Sequence, residues 1–181
     1  GPTHQPSHVS NPNITSSRNH DPTNVVGTEV SWAVFEARVG AYLQRTYNQT
    51  FAQQTFSKSD GWSHTVDWVS ADGRILVECK SYNWTRSGNV PSGKIATLRE
   101  AILYLRACPG ERRIIAMHHR PFPNQEYLVD YFCRLNRGLL NGIEVWDFSI
   151  GTCPEEDHVR VVADRGSNGH SNLFYPSHRT E

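Results

Sequence analysis

Asp67, Glu78 and Lys80 are the residues of this chain whose types and spacing best suit joint chemistry. They sit in the segment from Ser63 to Tyr82, where two β-rich runs, Val66-Asp67-Trp68-Val69 and Ile75-Leu76-Val77, meet at Asp72-Gly73. Asp-Gly between such runs is a strong signal for a two-residue hairpin turn. With that turn, cross-strand partners have numbers summing to 145, so Val69 faces Leu76 and Asp67 faces Glu78. Opposed residues share a sheet face with Cβ atoms roughly 5 Å apart. Lys80 returns to that face because strand side chains alternate. A four-residue turn, expected to slip the pairing by two, keeps all three on one face; a three-residue turn does not. Two carboxylates so placed repel each other unless something positive lies between them. A hard divalent cation suits that place, since Mg²⁺ takes one or two protein carboxylates and fills its shell with water and phosphate oxygens. A lysine beside such a site can orient or activate a water and offset charge developing on a phosphate.

The elements that must position these groups are legible around them. From Thr28, a plausible N-cap, to Tyr47 the chain reads as an amphipathic helix with Trp32, Phe35, Val39, Tyr42 and Leu43 on one stripe. Glu36 falls on the edge of that stripe, where a carboxylate is costly unless paired or metal-bound; the alternative is a boundary residue reaching solvent or an arginine. Glu29 lies one heptad earlier and is the rival for any role, although its first-turn position is better explained by the helix dipole. Gln49–Lys58 reads as a strand before the hairpin, and Pro91–Ala107 as a helix with Ile95, Leu98, Ile102 and Leu105 buried, ended by Pro109-Gly110. Arg113–Met117 reads as a buried strand, Gln125–Leu140 as a helix and Gly142–Phe148 as a strand. A helix crossing between strands implies a parallel pair beside the antiparallel hairpin, hence an α/β protein with a mixed central sheet.

Asp67, a ten-residue gap, then Glu78-Cys79-Lys80 resembles the core of the PD-(D/E)xK phosphodiesterase superfamily, the restriction-endonuclease-like nucleases. Val66 stands where the motif's name has proline, a position that varies widely in the superfamily. The resemblance covers residues 28–150 and implies an αβββαβ core flanked by helices. It implies a metal-dependent endonuclease acting on phosphodiester bonds in DNA, with Asp67, Glu78 and the Cys79 backbone carbonyl holding Mg²⁺ (or Mn²⁺). Lys80 would assist the attacking water, and Glu36, in the first core helix, would hold a water or a second metal. The alternative is a nucleic-acid-binding or assembly module on the same fold without catalysis. DNA is the expected partner, RNA remains open, and a homodimer or a larger complex would supply specificity that no separate recognition domain provides. Restriction, junction resolution, transposition and defence all remain open as roles.

Composition bounds the rest. The 181 residues suffice for one domain with a real core. Residues 1–26 read as a disordered tail, 27–155 as the domain and 156–181 as a polar tail in which Leu173-Phe174-Tyr175 could dock. Gly1-Pro2 without an initiator Met reads as the scar of a removed tag. Cysteines 79, 108, 133 and 153 show neither C-x-x-C nor zinc-ligand spacing, so reduced thiols and an intracellular location (cytoplasm, or nucleus in a eukaryote) are expected. Strand parity aims Cys79 away from the charged face, against a nucleophile paired with His64. No stretch is long and apolar enough for a membrane span, and no membrane partner is expected. Net charge is zero, yet residues 94–120 carry six bases against two acids and residues 144–157 five acids and no base. That polarity suits one basic face for a phosphate backbone, with solvated helix surface as the plainer alternative. Lys94 and Ser92, at a helix start where free N–H groups favour phosphate, are candidate substrate contacts. So is Arg86, in the loop Tyr82–Asn89 that mixes aromatic and basic residues suited to stacking on bases. His118-His119 reads as a strand end, since adjacent strand residues point to opposite faces.

Overall fold

The computed structural model describes residues 30–165. Thr28, Glu29, the tail 1–26 and Leu173–Tyr175 lie outside the described residues. The elements run α1 (Trp32–Tyr47), β1 (Phe51–Ser57), β2 (Ser63–Ser70), β3 (Ile75–Lys80), α2 (Ser92–Ala107), β4 (Arg112–His118), α3 (Leu128–Leu135), β5 (Glu144–Ser149) and β6 (His158–Ala163). All six strands form one mixed sheet in sequence order. The pairs β1–β2, β2–β3 and β5–β6 are antiparallel; β3–β4 and β4–β5 are parallel, with α2 and α3 as their crossovers. The last strand, β6, lies in the stretch 156–181 that reads from sequence as a polar tail. Its burial alternates weakly because it is an edge strand with one side in solvent.

The central strands β3 and β4 read as near-continuous apolar runs because helices cover both faces. Leu76, Ile115, Met117 and Val145 pack against α2 and α3. Val77, Cys79, Ile114, Ala116, Trp146 and Phe148 pack against Phe35, Val39 and Leu43 of α1. Helix α1 starts at Trp32, with the Ser31 hydroxyl accepting from the Val34 N–H. Trp32, expected in the buried stripe, is 43 % exposed. The helix expected over 125–140 is shorter: α3 stops at Leu135 and a 3-10 turn follows at Arg137–Leu139.

The hairpin keeps the expected register, Trp68 against Val77 and Val69 against Leu76. Its loop is four residues long, Ala71–Arg74, but is centred on the same point, so the pairing does not slip. Gly73 takes φ +73° and its N–H donates to Ser70 O, a conformation a side chain would strain. On the other side of β2 the register shifts: Ala52 pairs with Val69 but Gln54 pairs with Val66. Asp67 and Trp68 therefore share one partner position, which is a β-bulge. The bulge turns Val66 onto the α2 side while Trp68 faces α1, where its indole N–H donates to Glu36 O at 3.1 Å. The indole lies flat on Gly40, where a β-carbon would stand 2.5 Å from Cζ2 of Trp68. Gly40→Ala is therefore expected to cost about 1–3 kcal/mol through overpacking. A thermal melt beside Gly93→Ala, whose added carbon meets open space, checks this; equal melting temperatures would remove the contact from the account.

Candidate active site

Past Trp68–Val77 the β2–β3 ladder stops, and the two strands part. The bulge places the Asp67 carboxylate in that split, where Oδ2 accepts the Cys79 backbone N–H at 2.7 Å. Asp67 thus reaches toward its neighbours from the plane of the sheet and not by simple opposition to Glu78. The N–H and C=O of one strand residue leave the same side of the strand, so the Cys79 carbonyl also opens into the split. Lys80 and Glu78 sit on the α2 side, with Nζ 3.2 Å from Glu78 Oε2. Glu36 approaches from α1, close enough to act electrostatically on Asp67. The sequence-predicted residues Glu36, Asp67, Glu78 and Lys80 are brought near one another around the end of β3.

His64 is the residue that sequence reasoning placed elsewhere. Its Nε2 lies 2.5 Å from Glu78 Oε1, and its ring stacks on Tyr104 at 4.3 Å. Only the bulge makes this possible, because it moves His64 onto the Glu78 face, and no residue type in β2 announces it. Glu78 is 2 % exposed and holds one cationic or donor partner on each oxygen, as a buried carboxylate must.

Electrostatics separate the roles. Burial, then the nearby Glu78 charge, pushes the Asp67 carboxyl up to about 7, against the Cys79 N–H and Lys80. Burial works to lower the Lys80 value, but Glu78, Tyr82 and Asp67 outweigh it and hold the ammonium above the ordinary lysine range. Lys80 is therefore a charged cation at neutral pH. Cys79 is fully buried on the α1 side, and burial beside Asp67 and Glu36 raises its thiol well above the ordinary value, which removes it as a nucleophile.

The peripheral candidates divide. Arg86 and Lys94 line a groove of about 850 Å³ that begins at Ser81, directly after Lys80. Ser92 is exposed and does not line it, and the phosphate cradle expected there is not free: Ser92 N–H donates to Val90 O, and Lys94 N–H to Pro91 O. The basic segment 94–120 is mostly structural. Arg99 binds Asn136, Arg106 the carbonyls of Leu139 and Asn141, Arg112 Glu144, and Arg113 the last carbonyls of α2. Three of the acids at 144–157 are likewise consumed internally, Glu144 by Arg112, Asp147 by His119 and Arg160, and Asp157 by Arg38. Only Lys94 and Arg120 of that basic segment reach the groove. His118, stacked on Phe35 at 4.8 Å, is held down at about 4 by burial and by Arg120 and His119. It is a neutral packing residue that accepts or donates at Ser81 Oγ.

Among the described residues no three His, Cys, Asp or Glu side chains form a ready metal cage. What converges is a smaller donor set: the Asp67 carboxylate, raised by burial and then by the nearby Glu78 charge, Glu78 itself, and the Cys79 carbonyl beside Asp67. Asp67 Oδ1 has no protein hydrogen bond among the described residues. That set fits Mg²⁺ or Mn²⁺, which bind through one or two carboxylates and keep several waters.

Fold and site together define an α/β domain with a six-stranded mixed sheet flanked by helices and a carboxylate–lysine site where β2 and β3 part. No family model, no curated protein and no solved structure matches the chain. Among the described residues no helix is long and apolar enough to cross a membrane.

Proposed function

We propose that the chain is a metal-dependent nuclease of the PD-(D/E)xK kind, hydrolysing phosphodiester bonds in DNA. The observation that carries this reading is the split between β2 and β3. The Asp67 carboxylate meets the Cys79 backbone there, and Glu78, on the α2 side, is close enough to act on Asp67 electrostatically and holds a charged lysine. Asp67, Glu78 and the Cys79 carbonyl would hold the divalent ion, which when bound supplies a Lewis acid for the scissile phosphate and acidifies a bound water. Lys80, protonated at neutral pH, positions the attacking water and offsets charge on the phosphate; it does not serve as the base. Glu36 approaches from the opposite layer and orients a water. His64 fixes the Glu78 carboxylate from the side away from Lys80. Sequence preference, a homodimer or a larger assembly belongs to the same proposal.

One observation favours the non-catalytic alternative. Both Glu78 oxygens already have partners in His64 and Lys80, so a metal would have to displace or share one of them. Calorimetry with Mn²⁺ separates the readings: the nuclease binds the ion and Asp67→Asn weakens it, whereas a binding module takes up none. Duplex, single-stranded and branched DNA and RNA, incubated with and without Mn²⁺, then give the substrate. No Mn²⁺-dependent cleavage of any of them would sink the nuclease reading.

A further inference from the structure

We infer that the groove beside the site binds unpaired nucleotides, so that the substrate carries a single-stranded segment where it enters. The inference rests on nucleic acid being the substrate and names the form in which it is bound. The groove, about 850 Å³, is lined by the rings of Trp32, Tyr82 and Phe122 and by Arg86, Lys94 and Arg120, with no Asp or Glu among its described lining residues. Its volume lies in the range of about 300–1,000 Å³ that ligand pockets occupy.

Charge and aromaticity together point to a strand with its bases free. Duplex DNA is held mainly through phosphates and hides the faces of its bases in the stack. Single strands offer both a backbone and base faces, and proteins take them with basic grooves interleaved with aromatic rings. Here the two are combined at one spot, with Lys94 Nζ 4.9 Å above the Tyr82 ring. Trp32 is 43 % exposed at the groove mouth although its helix position would allow burial.

The groove is built in advance, and its lining begins at Ser81, the residue after Lys80. The loop Tyr82–Asn89 is fixed by Thr85 N–H to Asn89 O, by Gly88 N–H to Thr85 O, and by the Trp84 indole N–H to Glu126 O at 2.9 Å. Gln125 ties its far end through Gly88 O at 3.0 Å. Tyr82 stands two residues past Lys80, and Trp32 stands one helical turn before Glu36, on the same side of α1. A second groove, between α3 and β6, is lined by Glu126, Asp130 and Asp164 as well as arginines and has no such bias toward phosphate.

The test measures binding without cleavage. Asp67→Asn protein in EDTA is titrated into a labelled short oligodeoxythymidylate and, separately, a duplex of the same length, followed by fluorescence anisotropy. The single strand is expected to bind at least about tenfold tighter. Trp32→Ala and Tyr82→Ala should each weaken it by about tenfold, the scale of one lost base stack, while Tyr82→Phe retains binding. Arg86→Gln with Lys94→Gln should reduce the slope of log affinity against log salt by about 1.4. An oligouridylate run in parallel separates RNA from DNA as the source, and dependence on the same rings supports the groove in either case. Equal affinity for the duplex, or indifference to both aromatic replacements in folded protein, overturns the inference. Duplex cleavage without single-strand binding would remove the groove and leave the nuclease standing; single-strand binding through these rings without any Mn²⁺-dependent cleavage would do the reverse.

Discussion

Asp67→Asn is expected to have two opposite effects: nucleic-acid cleavage falls by about 10³-fold or more, and the metal-free protein becomes more stable above neutral pH. The first effect follows from removing the carboxylate that would hold the metal in the strand split. The second follows from linkage. The folded-state value of about 7 stands above the ordinary 3.8, so between those limits the folded protein keeps a proton that the unfolded chain has released. Stability therefore falls as pH rises through that window, and the full penalty, on the order of 4 kcal/mol, applies above it. Denaturant unfolding in EDTA at about pH 5 and about pH 8 reads this as a loss for the native sequence that the Asn variant lacks. Adding Mn²⁺ should remove most of the loss, because a cation replaces the proton between the carboxylates. If both proteins show the same change with pH, the carboxylate is not destabilised where it stands.

Lys80→Ala carries the second large effect. Cleavage should drop by about 10²–10⁴-fold, the scale of one positioned group in the transition state. Stability should drop as well, because Glu78, 2 % exposed, loses the partner of one oxygen. His64 keeps the other, so the expected cost is about 2 kcal/mol, below the roughly 3–5 kcal/mol of a buried charge stripped of its partner. A double variant, Glu78→Gln with Lys80→Met, separates the two roles. It removes both charges, so stability should recover while cleavage stays lost. Thermal melts and single-turnover cleavage on the same preparations give the answer, and cleavage by the double variant would place the chemistry elsewhere.

Much of this was legible in the chain. Helical spacing from Phe35 to Leu43 and from Ile95 to Leu105, and the apolar run at Ile114–Met117, announce the layers, because burial on one face or on both leaves its period in the residue types. The order of elements up to β5 follows. β6 was not legible: its apolar run from Val159 to Ala163 is short, interrupted by Arg160 and flanked by Asp157 and Asp164, and it reads as tail until β5 is there to pair with it. The basic stretch 94–120 misled in the opposite direction. Arginine is as suited to capping carbonyls and pairing with buried glutamates as to holding phosphate, and only the positions of Asn136, Leu139, Asn141 and Glu144 decide which.

For the candidate site, local sequence determined the pairing register and the parity that put Glu78 and Lys80 on one face. Asp-Gly fixes where the turn falls, and alternation does the rest. Local sequence also placed Glu36 on the inner edge of its helix. Tertiary structure alone decided how Asp67 reaches the others and that His64 joins them. A bulge is one residue of mismatch between two strands, set by how Trp68 docks on Gly40 of α1 and how β1 pairs across it. No property of β2 by itself records either contact. The same bulge ends the β2–β3 ladder, opens the split beside Cys79 and turns two carboxylates of ordinary spacing into a site.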